Sequence, residues 1–179
     1  MNTGKIFEKN FKDSCKKDGI FVLRLRDAAQ GWMKNAKYTH DNPYDFLVFK
    51  ALDPETKLGK LVCLELKHTI GTSLSIQRSK DERSDKKIKF HQIKGLYKAQ
   101  EFLGVKAGFL FNFSYENENK ELEETTIFMD INKFMQFLEE SDKKSINIKD
   151  ILSYDPIIIE QKKKIKNYHY YIGDLIERA

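Results

Sequence analysis

The chain has 179 residues, with 32 Lys and Arg against 27 Asp and Glu, a net charge of +5 and an isoelectric point near 9.0, which suits one sizeable basic domain. Its two cysteines, Cys15 and Cys63, form no C-x-x-C pair, and its four histidines lack metal-ligand spacing, so a zinc site and a disulfide framework are excluded. No apolar run approaches the roughly eighteen residues of a membrane span, and the first residues lack a signal-peptide pattern, so a cytoplasmic protein is expected.

In chain order, Thr3 opens a predicted helix whose apolar positions Phe7, Phe11 and Cys15 recur every four residues, with Gly19 as its stop. Ile20 to Leu23 reads as a strand running into Arg24 and Arg26, and Asp27 to Asn42 reads as irregular, with one turn around Trp32-Met33. Tyr44 to Phe49 is the next predicted strand, and Val62 to Lys67 the one after it. The turn formers of Asp53-Pro54-Glu55-Thr56-Lys57-Leu58-Gly59 join them as an antiparallel hairpin. His68 to Lys89 is long, polar and charged, which marks a mobile or binding loop. A helix from Phe90 stops at Gly104, strands follow at Ala107 to Phe113 and Thr125 to Met129, and Ile131 to Leu138 reads as helical. A last strand is placed at His169 to Ile172. The order helix, strand, strand, strand, helix, strand predicts an α/β layer with a mixed sheet.

The chemistry concentrates at Glu65-Leu66-Lys67. Successive side chains on a strand point to opposite faces, so Glu65 and Lys67 share a face while Leu64 and Leu66 take the other. The hairpin would bring Asp45, near the start of its strand, beside that face. Two carboxylates suit Mg²⁺, a hard cation that takes oxygen ligands and keeps several waters. A lysine next to them can orient the attacking water or meet the charge of a phosphate. The alternative is an ion pair on a solvated strand face. Against it, Glu65 and Lys67 lie in an otherwise apolar run, where charge is costly unless paired or coordinated.

Two basic runs give the chain a second character. Arg78 to Lys94 holds seven basic and three acidic residues, and Lys162-Lys163-Lys164-Ile165-Lys166 follows near the end. Such runs attract polyanions through counterion release, or else form a solvated lysine-rich surface. Trp32 and Tyr38 are aromatic enough to stack on unpaired bases, or to cover the core.

These residues occur in a matched order. Gly4-Lys5-Ile6-Phe7-Glu8, Arg24-Leu25-Arg26, Asp45, Glu65-Leu66-Lys67, His91-Gln92 and Gly108-Phe109-Leu110-Phe111 follow one another, over residues 3 to 115, as in the PD-(D/E)XK nuclease superfamily. Within it the chain resembles the Holliday-junction resolvases of the RecU and archaeal Hjc type. The Asp45-to-Glu65 interval is longer than usual there, implying an extended hairpin. Tyr44 stands directly before Asp45, with Pro43 one step earlier, so Asp41 remains a second candidate for the first carboxylate.

The resemblance implies one restriction-endonuclease-like α/β domain over residues 1–179, with a central mixed sheet flanked by helices, a core of about 3–130 and a C-terminal elaboration at 131–179. It implies Asp45, Glu65, Lys67 and Gln92 as the catalytic set and Asp45, Glu65 and Glu8 as Mg²⁺ ligands, with Mn²⁺ as a substitute. Glu8 is otherwise a first-turn acid that complements the helix dipole, and Gln92 otherwise an ordinary helix-surface amide. Arg24, Arg26, His68, Lys86, Lys87 and Lys89 are the expected DNA contacts. The expected activity is cleavage of branched double-stranded DNA to 5′-phosphate and 3′-hydroxyl ends. A homodimer would make the paired nicks, with aromatics around Phe109 to Phe113 and Phe128 either exposed as its interface or filling the monomer core under the helix at Ile131 to Leu138. A nuclease of linear duplex DNA and a non-cleaving DNA-binding protein of the same fold are the alternatives.

Overall fold

The apolar residues of the long central strand fall into two sets that face opposite ways, and the fold is built around that division. The structure, a computed structural model, describes residues 3–25, 42–53, 55–56, 58–83, 85–116, 120–165 and 167–178. The expectations placed on Arg26, Trp32, Tyr38 and Asp41 lie outside those residues.

Helix α1 (Thr3–Lys17) precedes strands β1 (Phe21–Arg24), β2 (Phe46–Ala51), β3 (Gly59–Ile70) and β4 (Ser73–Ser75). Helix α2 (Phe90–Gln100) leads to β5 (Val105–Glu116), β6 (Leu122–Asp130) and α3 (Ile131–Glu140). Then come β7 (Ser145–Asn147), α4 (Ile148–Leu152), β8 (Ile157–Ile159), β9 (Gln161–Lys163), β10 (Tyr168–Tyr170) and α5 (Ile172–Arg178). The main sheet has the order β1-β2-β3-β5-β6-β8. Only the β3–β5 pair is parallel, with α2 as its crossover; every other neighbour is antiparallel, so the sheet is mixed. This is the expected α/β architecture, a central mixed sheet flanked by helices.

Val62, Leu64 and Leu66 of β3 pack with Phe7, Phe11 and Cys15 of α1 and with Ile172, Leu175 and Ile176 of α5. Cys63 on the other face joins Ile93 and Leu96 of α2 and Phe134 and Phe137 of α3. The period of two along β3 therefore separates an α1 side from an α2 side. Residues 131–179 are not an appendage to this core. Strand β8 extends the main sheet at its β6 edge, and α5 completes the apolar layer over Phe46.

Three expectations change. The segment from His68 to Lys89 is not one mobile loop: β3 continues to Ile70, β4 pairs with β7, and Ile76 bridges Ile88. Leu74, Ile76 and Ile88 are buried at 1% exposure or less, which pins both ends of the excursion between them. The aromatics expected at a dimer interface are interior. Phe109, Phe111 and Phe113 are fully buried, Phe128 nearly so, and the Phe109 ring lies 4.7 Å from that of Phe134 on α3. The last strand ends at Tyr170 and a helix follows, because Ile172, Leu175 and Ile176 carry helical rather than alternating spacing.

Truncating Leu175 to Ala should cost about 2–5 kcal/mol of unfolding free energy, the usual range for a fully buried leucine. Urea denaturation measures it, and a loss within experimental error would make the C-terminal helix an appendage after all.

Candidate active site

The β2–β3 register sets Phe46 opposite Leu64 and so carries Asp45 alongside Glu65. The backbone locks that placement: Asp45 N–H donates to the Leu64 carbonyl at 3.0 Å and the Asp45 carbonyl accepts from Leu25 N–H at 2.8 Å. Asp45 Oδ2 accepts from Leu66 N–H at 3.0 Å, which fixes the carboxylate against the neighbouring strand. Lys67 Nζ lies 2.8 Å from Glu65 Oε1, with the two side chains only 13% and 3% exposed. The fourth member comes from α2, where Gln92 Nε2 donates to the same Oε1 while Gln92 Oε1 accepts from Lys89 N–H at 3.0 Å. Gln92 is thus at once the box residue of its own helix start and a clamp on Glu65.

Glycine makes this approach possible. A Cβ on Gly95 would sit 2.5 to 2.8 Å from Pro43 atoms, backbone carbonyl included, so only glycine lets α2 come this close to the segment that leads into Asp45.

Burial dominates the electrostatics. Glu65 is pushed up from 4.5 to about 7 by desolvation, held back by the Lys67 charge and raised further by the Asp45 charge. Asp45 is raised by burial too, against the Leu66 N–H, Lys67 and Arg24, which pull it down. The two carboxyls act on each other, Glu65 lowering Asp45 and Asp45 raising Glu65. Lys67 and Gln92 hold Glu65 by Oε1 and Leu66 holds Asp45 by Oδ2, so each carboxyl keeps a second oxygen, Oε2 and Oδ1, for a shared proton or a cation. A buried acid and a half-buried one side by side are donors that suit a hard divalent ion.

Among the described residues no three His, Cys, Asp or Glu side chains converge as a ready-made metal cage. Glu8, expected as a third ligand, instead meets Arg24, whose guanidinium lies 2.6 Å from Glu8 Oε2. Arg24 acts electrostatically on Asp45, so Glu8 borders the site through that arginine. A site of two carboxylates leaves the rest of a cation's shell to water and to a substrate's phosphate oxygens, the usual habit of Mg²⁺.

His68 departs from expectation. One residue beyond Lys67, it points to the α1 side, where its Nδ1 meets Asn112 Oδ1 at 2.6 Å and its ring neighbours Phe7. Strand alternation turns it away from the carboxylates, so the expected phosphate contact at His68 is not part of this face. Lys87 and Lys89 are exposed and Lys86 half-buried, on the segment that runs into the start of α2. Two residues that sequence reasoning passed over support that segment. The buried Gln77 donates to the Glu82 carbonyl at 2.8 Å and accepts from Phe90 N–H at 3.2 Å, bracing the N-terminus of α2. Arg78 anchors the segment on the Ser141 and Lys143 carbonyls beyond α3. A glutamine and an arginine beside the apolar Leu74-Ser75-Ile76 were the only sequence signal of an anchored stretch.

Fold and site together define an α/β protein with a buried glutamate, a half-buried aspartate, a lysine and a glutamine on the α2 face of a mixed sheet. No family model matches the chain. It is 33% identical, over an alignment of 198 positions covering 99% of this chain and 88% of the relative, to the SPbeta prophage-derived uncharacterized protein YotM of Bacillus subtilis (strain 168). The chain belongs to the family of that protein. Among solved structures it is similar to Hjc of Archaeoglobus fulgidus, a Holliday junction resolvase, at 13% identity and a TM-score of 0.49, covering 84% of this chain and 93% of that one.

Two measurements check the site. Gly95→Ala should destabilise the protein by about 1–3 kcal/mol, the cost of overpacking, in chemical denaturation; a neutral result would mean α2 is not held against Pro43. The second concerns pH. The folded state favours protonated Glu65, so its stabilising contribution is complete below the ordinary value of 4.5 and is lost as pH rises through about 7. Metal-free wild type should therefore lose stability relative to Glu65→Gln across that interval, and a pH-independent difference would refute the burial-raised carboxyl.

Proposed function

We propose that this protein is a Mg²⁺-dependent endonuclease that cuts branched DNA. The observation that carries the reading is the buried Glu65 beside the half-buried Asp45, with Lys67 bound to Glu65, in a protein whose ordered motifs resemble PD-(D/E)XK nucleases of the junction-resolving type.

Asp45 and Glu65 are the residues that would hold the cation, each offering one oxygen not already anchored by Leu66, Lys67 or Gln92. When bound, such an ion supplies Lewis-acid polarisation of a phosphoryl oxygen and a more acidic water. Lys67 contributes a cation that is largely shielded from bulk water, placed to orient the attacking water or to meet the growing charge on the phosphate. Gln92 keeps Glu65 oriented and needs no protonation change to do so. Arg24, which is held by Glu8, and the exposed Lys87 and Lys89, with Lys86 beside them, would contact backbone phosphates. Mn²⁺, with similar oxygen preferences, is expected to replace Mg²⁺.

Paired, symmetric nicks on a four-way junction need two active sites, so the reading includes a homodimer. Its interface does not come from Phe109 to Phe113 or Phe128, which fill the monomer's own core.

The test is incubation with labelled four-way junction and with linear duplex of matched sequence, with Mg²⁺ and with chelator. Metal-dependent cutting of the junction in preference to the duplex is expected. Equal cutting of both would move the substrate to linear DNA, and binding without cutting would make the protein a non-cleaving accessory. Asp45→Asn, Glu65→Gln and Lys67→Ala should each lower cleavage by at least about 10²-fold, the scale of a positioned catalytic group, with DNA binding largely retained. Near wild-type cleavage in all three would remove the site from consideration.

A further inference from the structure

Helix α1 packs on the sheet face opposite to that of Glu65 and presents a line of lysines outward. Lys5, Lys9, Lys12 and Lys16 are spaced four, three and four residues apart. At 3.6 residues per turn they fall within about 60° of arc and run about 16 Å along the helix. Lys5, Lys9 and Lys16 are exposed and Lys12 half-exposed, while Phe7, Phe11 and Cys15 on the opposite face are buried in the core. Among the described residues none of the four lysines has an acidic partner within ion-pair reach. The nearby acids are mostly engaged elsewhere: Glu8 pairs with Arg24 and Asp18 with His169 at 3.3 Å, which leaves Asp13. Beside the helix, Lys162 to Lys164 are exposed on the β9–β10 hairpin, and Lys164 borders a surface depression with Lys17, Asn10 and Asp13.

We infer that this surface is a second nucleic-acid contact, seating the phosphate backbone of a duplex segment other than the one at the carboxylates. Four lysines against the two acids beside them, Asp13 and a Glu8 already paired with Arg24, leave a local excess of positive charge, which a polyanion of regular charge spacing relieves while releasing its condensed ions. An anionic membrane is the poorer occupant. A helix that lies on a bilayer inserts an apolar face, and the apolar face of α1 is already committed to the core; Ile165, 98% exposed at the hairpin, is a single side chain. Because α1 and the Asp45–Glu65 pair sit on opposite faces of the sheet, one straight duplex does not serve both surfaces, whereas a branched DNA offers arms to each. The inference rests on the nucleic-acid reading of the site and sharpens its substrate to DNA with more than one arm.

The experiment is fluorescence anisotropy of the full chain with labelled four-way junction and labelled linear duplex, in chelator, over a range of salt. The variants are the Lys5, Lys9, Lys12 and Lys16→Gln quadruple, a Lys9→Gln/Lys16→Gln double that perturbs the helix less, and Lys86, Lys87 and Lys89→Gln on the other face. Circular dichroism checks the helix content of each. The quadruple should flatten the slope of log K against log salt on the junction by about 2 to 3.5, the double by about half as much, if each lysine meets a phosphate. The preference for junction over duplex should fall in both, whereas the Lys86, Lys87 and Lys89 variant should weaken both DNAs alike. Unchanged slopes in folded quadruple and double variants would overturn the inference. So would lysine-dependent binding to phosphatidylserine vesicles with no lysine dependence on DNA. The nuclease reading fails separately: stripe-dependent junction binding without cleavage would keep the contact and sink the enzyme, and cleavage with unchanged slopes would do the reverse.

Discussion

The arrangement depends on the burial of one carboxylate. Glu65 stands in the middle of the central strand, 2% exposed, with Leu64 and Leu66 on either side and strands paired to both edges. An isolated charge there is expensive, and the surroundings can be read as the ways in which that expense is offset. Lys67 brings a counter-charge two residues along the same face, Gln92 brings a neutral donor from the helix above, and Asp45 brings a second acid that makes matters worse in the absence of a cation. A purely structural ion pair would not be improved by a second carboxylate. Asp45, held by the Leu66 N–H beside Glu65, is the feature that the proposed cation-holding role accounts for and that a satisfied core charge does not.

The same constraint explains how much could be read from sequence. The period of two in Val62-Cys63-Leu64-Glu65-Leu66-Lys67 is strict, and strict alternation on a strand leaves the faces little freedom, so the sharing of a face by Glu65 and Lys67 was legible. So was Asp45, because turn formers between two alternating runs imply a hairpin, and a hairpin implies the neighbour. Gln92 was legible only through the resemblance, since nothing in a helix-surface amide foretells that its far end will reach a buried acid. His68 failed for the reason that Lys67 succeeded: the position one residue further along the strand belongs to the opposite face, and adjacency in sequence is separation in space.

The other failures share a cause. Polar composition marked His68 to Lys89 as loose, yet Leu74, Ile76 and Ile88 in it are core residues, Leu74 paired with β7 some seventy residues later and Ile76 bridged to Ile88. Short edge strands that pair over such distances carry too few residues to declare a period. The aromatics of β5 were open to two accounts, interface or core, and which one holds depends on whether a helix covers them. Phe134 and Phe137 of α3 do so, from a segment whose helical spacing was plain but whose docking position was not.

Two glutamines carry the connection between the basic segment and the acids. Gln77 uses its amide N–H on the Glu82 carbonyl and its amide oxygen on Phe90 N–H, while Gln92 uses its oxygen on Lys89 N–H and its N–H on Glu65. The start of α2 is therefore braced from the segment below and in turn braces the carboxylate, and Gly95 allows the helix to sit close to Pro43, in the segment that leads into Asp45. Lys86, Lys87 and Lys89 leave from the same brace. A displacement of the lysines by a polyanion would act on the peptide groups that Gln77 and Gln92 hold, only a few residues from the acid that Gln92 orients. Charge on one side of the helix start and a buried acid on the other are thus joined by neutral hydrogen bonds that do not titrate, so the geometry of Glu65 depends on packing and chain connection, while its charge is left to respond to whatever cation or proton is present.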